Sequence, residues 1–101
     1  MKKILLIFAV PFFFIQVSLA QKVTVTGTVT SKEDGLPIIG ASILEKGTTN
    51  GTITNYNGIY TISVPLGATL VFSYVGMEKV ERKVTSADRI DVVMTPTAIA
   101  I

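Results

Sequence analysis

In GLPIIGAS, residues 35–42, two glycines stand five apart, the spacing with which a phosphate-binding loop wraps an anion in backbone N–H groups. Such a loop needs a lysine directly after its second glycine to reach the β and γ phosphates. Here Ala41 follows Gly40, and Pro37 removes one of the N–H donors. The stretch is read as a turn and not as a nucleotide site. A second candidate, ITNYNG at residues 53–58, carries part of the oxygen-rich half of a calcium loop. With Gly58 on the invariant glycine, Ile53 falls at the first ligand position and Val64 at the twelfth, so both end carboxylates are missing. What remains is an Asx-type turn, in which Asn55 or Asn57 bonds its own backbone and Gly58 takes a positive φ. Asn50-Gly51-Thr52 fits the three-residue glycosylation pattern and is read as a loop.

The inventory for catalysis is thin. The 101 residues contain no His, Cys or Trp, so no Ser-His or Cys-His pair and no zinc site of the usual ligands can be assembled. The seven acids fall in turns, on a charged strand or near strand ends, where a carboxylate stays solvated. The chain is therefore expected to be non-catalytic, with no cofactor and no metal. Two further side-chain groups invite a binding reading and have a simpler one. Tyr74 in SYVG alternates with Leu70 and Phe72 and is expected in the core. The threonines of residues 24–30 are expected on a solvated strand face.

The first 20 residues read as an export signal. Lys2 and Lys3 precede an apolar run, ILLIFAVPFFFIQV, that is shorter than the roughly 20 residues needed to span a bilayer and is interrupted by Pro11. SLA then places small residues before a cleavage point between Ala20 and Gln21. Nine basic residues less Lys2 and Lys3 leave seven, against seven acids, so the segment from Gln21 has no net charge. Nothing in that balance attracts nucleic acid, and it suits a tethered domain better than a free one. Export without any Cys means that core packing alone must hold the fold. A domain of about 80 residues buries only a little over 60% of its unfolded surface, so a stability of a few kcal/mol is expected.

From Val23 onward the hydrophobic period is two. VTVTGTVT puts Val23, Val25 and Val29 on one face; SKEDGLP supplies a turn through Asp34-Gly35 and Pro37; GASILEK follows as a strand with Ala41, Ile43 and Glu45 on one side. GTTNGT reads as a loop. Asn57-Gly58 launches a strand with Tyr60, Ile62 and Val64 inside, and ATLVFSYVG adds Leu70 and Phe72. MEKVERKV mixes charge with Val80 and Val84 in the manner of a protected edge strand. RIDVVMT closes the series with Ile90, Val92 and Met94. No window after residue 20 keeps a helical period. The pattern predicts an all-β fold, an antiparallel sandwich of about six or seven strands with a transthyretin-like or Ig-like arrangement.

In combination, GTV, GLPIIGASI, GTTNGTITNYNGIYTI and LVFSYVGM before a charged strand resemble the carboxypeptidase-regulatory-like domain that stands at the N-terminus of SusC-type TonB-dependent outer-membrane transporters. The resemblance covers residues 23 to about 96. One departure is Thr54-Asn55 where the family usually has Thr-Asp, and Asn can make the same local bond. The resemblance implies that Gly35, Pro37, Gly40, Gly51, Thr54, Asn55, Asn57, Gly58 and Gly76 are turn makers with no catalytic role. It implies a signal peptide at 1–20, a sandwich at 21–96 and, at 97–101, the start of a connection toward a TonB box, plug and barrel. The location implied is the periplasmic face of the outer membrane of a Gram-negative bacterium. Implied partners are the plug and barrel of the same polypeptide, periplasmic proteins of the TonB complex, and a lipoprotein lid with a glycan or other nutrient taken by the barrel. The competing reading is a free-standing exported sandwich used for binding or adhesion.

Overall fold

A computed structural model describes residues 21–86 and 89–97. The leader at 1–20, with Ala20 of the expected cleavage point, and residues 98–101 lie outside the described residues. Seven strands form in the order β1 (Lys22–Ser31), β2 (Ser42–Glu45), β3 (Gly51–Ile53), β4 (Ile59–Pro65), β5 (Thr69–Ser73), β6 (Val80–Lys83) and β7 (Val92–Met94). They build two sheets, ordered β4-β1-β7 and β3-β2-β5-β6.

The longest ladder joins β1 to β4, antiparallel from Lys22 opposite Pro65 to Thr28 opposite Ile59. Valine and threonine alternate through β1, and both are β-branched, stiff at χ1 and suited to a pleated surface. Val25 and Val29 point inward with no exposure. The threonines form the outer face: the Thr26 and Thr61 hydroxyls stand 3.4 Å apart, and Thr28 accepts a 2.8 Å bond from Arg89 Nη2. β7 runs parallel to β1, with Val29 opposite Val92 and Ser31 opposite Met94. This one parallel pair has a simple cause, since the chain reaches β7 by crossing over from β6 in the other sheet.

The stretch read as the loop GTTNGT runs into β3, which takes its last two residues and Ile53. The chain turns after Glu45 and pairs Gly51–Ile53 back on Ser42–Leu44, which adds a seventh strand to the six that alternation marks out. Three residues are too few for a period of two to register in a sequence.

The core lies between the sheets. Tyr60, Ile62 and Val64 of β4 face Ile43 of β2 and Leu70 and Phe72 of β5, with Val92 and Met94 closing one side. Tyr60 meets Phe72 edge to face, with ring centroids 5.3 Å apart and planes at 74°, an arrangement worth about 0.5–1.5 kcal/mol beyond area burial. The Tyr60 hydroxyl donates a 2.6 Å bond to the carbonyl of Ile90. That crossing is possible because β1 has a glycine beneath it: a Cβ at Gly27 would collide with the Ile90 carbonyl and lie 2.9 Å from the Tyr60 hydroxyl. Among the described residues, every strand and every core residue falls between Lys22 and Met94, and the two sheets of this span cover one another's inner faces.

Two predictions follow from this packing. A polypeptide of residues 21–101 is expected to lose its circular dichroism signal in one cooperative urea transition; a gradual loss would mean that the sandwich needs more of the chain. Burial, reinforced by the Asp91 carboxylate and opposed by Arg89, pushes the Tyr60 phenol up from its ordinary value to about 12. The folded state thus resists deprotonation that the unfolded state undergoes near pH 10. Stability is full below pH 10 and falls as pH rises toward 12, and Tyr60→Phe should flatten that decline in melts taken across the window.

Candidate functional site: the pole where the turns converge

β1, β3 and β5 all end at the same pole of the sandwich, where β2 and β4 begin. Eight of the nine residues singled out as turn makers gather there: Gly35, Pro37 and Gly40 between β1 and β2, Thr54, Asn55, Asn57 and Gly58 between β3 and β4, and Gly76 after β5. Gly51 begins β3 toward the other end.

Thr54 is the centre of this pole. It is buried, and its hydroxyl donates a 2.6 Å bond to the carbonyl of Ile38 while accepting a 2.8 Å bond from the N–H of Ala41. Its own N–H reaches the Ala41 carbonyl at 3.0 Å, and its carbonyl accepts from Gly40 at 3.1 Å. Four bonds thus fasten the segment 38–41 to one residue. Both segments cross from sheet to sheet and cannot complete a ladder, so the side chain supplies what the ladder does not. Sequence reading placed Thr54 among the turn makers and missed this bridge across 16 residues, since Thr48, Thr49, Thr52 and Ile53 are equally β-branched and no local pattern singles Thr54 out.

Asn55 organises the next turn locally. Its Oδ1 accepts from the N–H groups of Asn57 at 2.8 Å and Ile59 at 3.0 Å, while its backbone pairs with Ile59 and Gly58. An asparagine supplies these acceptors as an aspartate would. Gly58 adopts φ 74° and presses on Pro37: an added Cβ would stand 2.7 Å from the Pro37 Cβ and 2.8 Å from the Val29 carbonyl. Gly58 is thereby held to glycine twice, by its backbone angle and by its neighbour. Gly35 and Gly40, with φ 72° and 81°, complete the β1–β2 connection, and Gly76, with φ 81°, lies in the Tyr74–Met77 turn, where the Met77 N–H bonds the Tyr74 carbonyl at 3.0 Å.

That last turn overturns one expectation. Alternation carries Leu70 and Phe72 into the core, but β5 stops at Ser73, so Tyr74 belongs to the turn and is 37% exposed where a core tyrosine was expected. It forms a ridge between two shallow grooves. One, of about 450 Å³, is lined by Gly40, Ser42, Tyr74, Val75, Met77 and Lys79; the other, of about 370 Å³, by Glu33, Asp34, Leu36, Ile39, Tyr74 and Met77. Among the described residues no group of three or more His, Cys, Asp or Glu is placed to hold a metal ion. What lines the two grooves is chiefly aliphatic side chains, one aromatic ring and a few charges at their borders.

The family model described as CarboxypepD_reg-like domain matches residues 25–100. The chain belongs to the carboxypeptidase-regulatory-like domain family. Among its relatives, TonB-dependent receptor P3 of Formosa agariphila is 45% identical over 76 residues, which is 74% of this chain and 8% of the receptor. TonB-dependent receptor SusC of Bacteroides thetaiotaomicron is 37% identical over 86 residues, 85% of this chain and again 8% of the receptor. The chain therefore spans less than a tenth of the length of the curated relatives it matches. Two solved structures share the sandwich of this carboxypeptidase-regulatory-like domain. A chain of a type II cohesin–X-dockerin complex from Acetivibrio cellulolyticus aligns with TM-score 0.61 and 22% identity over 78% of this chain and 61% of its own. The C-terminal domain of the PapC usher aligns with TM-score 0.52 and 19% identity over 72% of this chain and 99% of its own. At such identity these likenesses speak for the fold alone.

Thr54→Ala is expected to cost about 2–3 kcal/mol, because the Ala41 N–H and the Ile38 carbonyl lose their partner inside the structure. Thr54→Ser, which keeps the hydroxyl, should retain most of the stability. Urea midpoints of the two variants check this, and equal losses would place the effect in the missing methyl group.

Proposed function

We propose that this chain is a non-catalytic accessory domain at the N-terminus of a SusC-like TonB-dependent outer-membrane transporter, held at the periplasmic face. One observation carries the reading: four TonB-dependent receptors match 69–85% of this chain at 37–45% identity, while the chain accounts for only 7–8% of each. Such a ratio is what a small module carried by a large receptor produces. In this reading residues 1–20 direct export with cleavage between Ala20 and Gln21, residues 21–96 form the domain, and residues 97–101 begin the connection to the plug and barrel. Any glycan or other nutrient, and any lipoprotein lid, belongs to that barrel.

The domain's own contribution is contact with periplasmic partners of the TonB complex. One edge suits this. β6 is the last strand of its sheet and exposes Glu81, Arg82 and Lys83, with Lys46 paired to Glu81 at 3.2 Å beside it. A charged edge discourages chance pairing and leaves room for a partner of matching charge.

An epitope inserted at Thr49, in the exposed turn before β3, tests this in the source bacterium. The tag is expected in the outer-membrane fraction on a protein far longer than 101 residues, shielded from protease in intact cells and cut once the outer membrane is permeabilised. A tagged product of about 80 residues, free in the periplasm or the medium, would replace this reading with a free-standing exported module.

A further inference from the structure

Large apolar side chains are not spread evenly over the surface. Among the described residues, Leu36, Ile39, Ile53, Tyr56, Tyr74 and Val75 are exposed at the pole just described, whereas Leu44 and Leu66 lie toward the opposite end and Val93 stands on the outer face of β7 beside Thr30. Val75, 85% exposed at the tip of its turn, contributes nothing to the core. A concentration of this kind in a domain of few charges marks a surface that becomes covered.

The charges around the patch indicate what covers it. Lys79 borders the groove on one side of Tyr74, and Glu33 and Asp34 border the groove on the other. The ion pairs found among the described residues, Lys46–Glu81 and Arg89–Asp91, involve none of these three. A surface with a cation on one flank and acids on the other, about an apolar ridge, is self-complementary under a two-fold rotation through that ridge. Each Lys79 then meets the Glu33–Asp34 flank of the other copy, Tyr74 packs near the axis, and Val75 of each copy enters the facing groove. The segment from Gln21 carries equal numbers of basic and acidic residues, so no net repulsion opposes the approach of two copies.

We propose that this pole is an isologous interface through which two copies of the chain associate. The patch offers six large apolar side chains and three bordering charges, fewer than the roughly 20–30 residues a side of a standard interface, so association is weak, with a Kd on the order of 0.1 mM. Weak pairing of this kind acts when copies are already concentrated, as on a membrane surface.

Sedimentation velocity on residues 21–101, whose two sheets cover one another's inner faces, decides it between about 10 μM and 1 mM. The average mass of the parent should climb from monomer toward dimer and no further. Val75→Asp should hold it at monomer, and Lys79→Glu should weaken association by at least about tenfold. Lys79→Glu combined with Glu33→Lys and Asp34→Lys should bring it back, because the flanks then match with signs exchanged. Leu66→Asp, at the opposite pole, should change nothing. A parent that stays monomeric throughout, mass growing past dimer, or equal sensitivity to Leu66→Asp and Val75→Asp would each overturn the proposal. So would failure of the charge exchange to restore what Lys79→Glu removes.

Discussion

The hydroxyl of Thr54 holds together the two connections on which the sandwich turns. The chain passes from the first sheet to the second through residues 32–41 and returns through residues 54–58, and neither connection can satisfy its backbone in a ladder. One buried side chain bonds Ile38 and Ala41 and so sets the distance between the two crossings. Pro37 against Gly58 then fills the space beside it. With no disulfide to close the pole, a hydroxyl of well-defined geometry inside an apolar site serves that purpose, because a hydrogen bond removed from water is held more firmly than one exposed to it.

Given that closure, the remaining architecture is economical. β1 is the long strand, pairs on both sides, and sends Val25 and Val29 inward and its threonines outward. β4 and β5 bring the aromatic contact between Tyr60 and Phe72 across the interior. Tyr60 also reaches beyond the core to the Ile90 carbonyl, so the same side chain that packs the sheets anchors the crossover into β7. Gly27 makes that reach possible by leaving room in β1. The result is a two-sheet body that presents a charged sheet edge, a threonine face and an apolar pole.

Such a body fits a module that is carried by a larger protein. The family match covers nearly the whole of the described fold, and the TonB-dependent receptors that resemble it are more than ten times its matched length. The grooves beside Tyr74 are where its aromatic and aliphatic side chains lie open.

The all-β class, the inward residues of β1, β4 and β5, and the turn at Asn55–Gly58 are legible in the chain alone, because alternation and turn chemistry are local properties that neighbours in the chain impose. The absence of His and Cys is legible there too, and no fold can alter it. Tertiary structure decided the rest. β3 owes its existence to a partner strand and not to its three residues; β7 lies parallel to β1 because of a crossover whose direction no periodicity encodes. Tyr74 continues the alternation of β5 and yet stands outside, since where a strand stops depends on what its neighbours can still pair. The reach of Thr54 to Ile38, across 16 residues, is likewise invisible in sequence: a hydrogen bond between distant segments exists only once the sheets that flank them have set their separation.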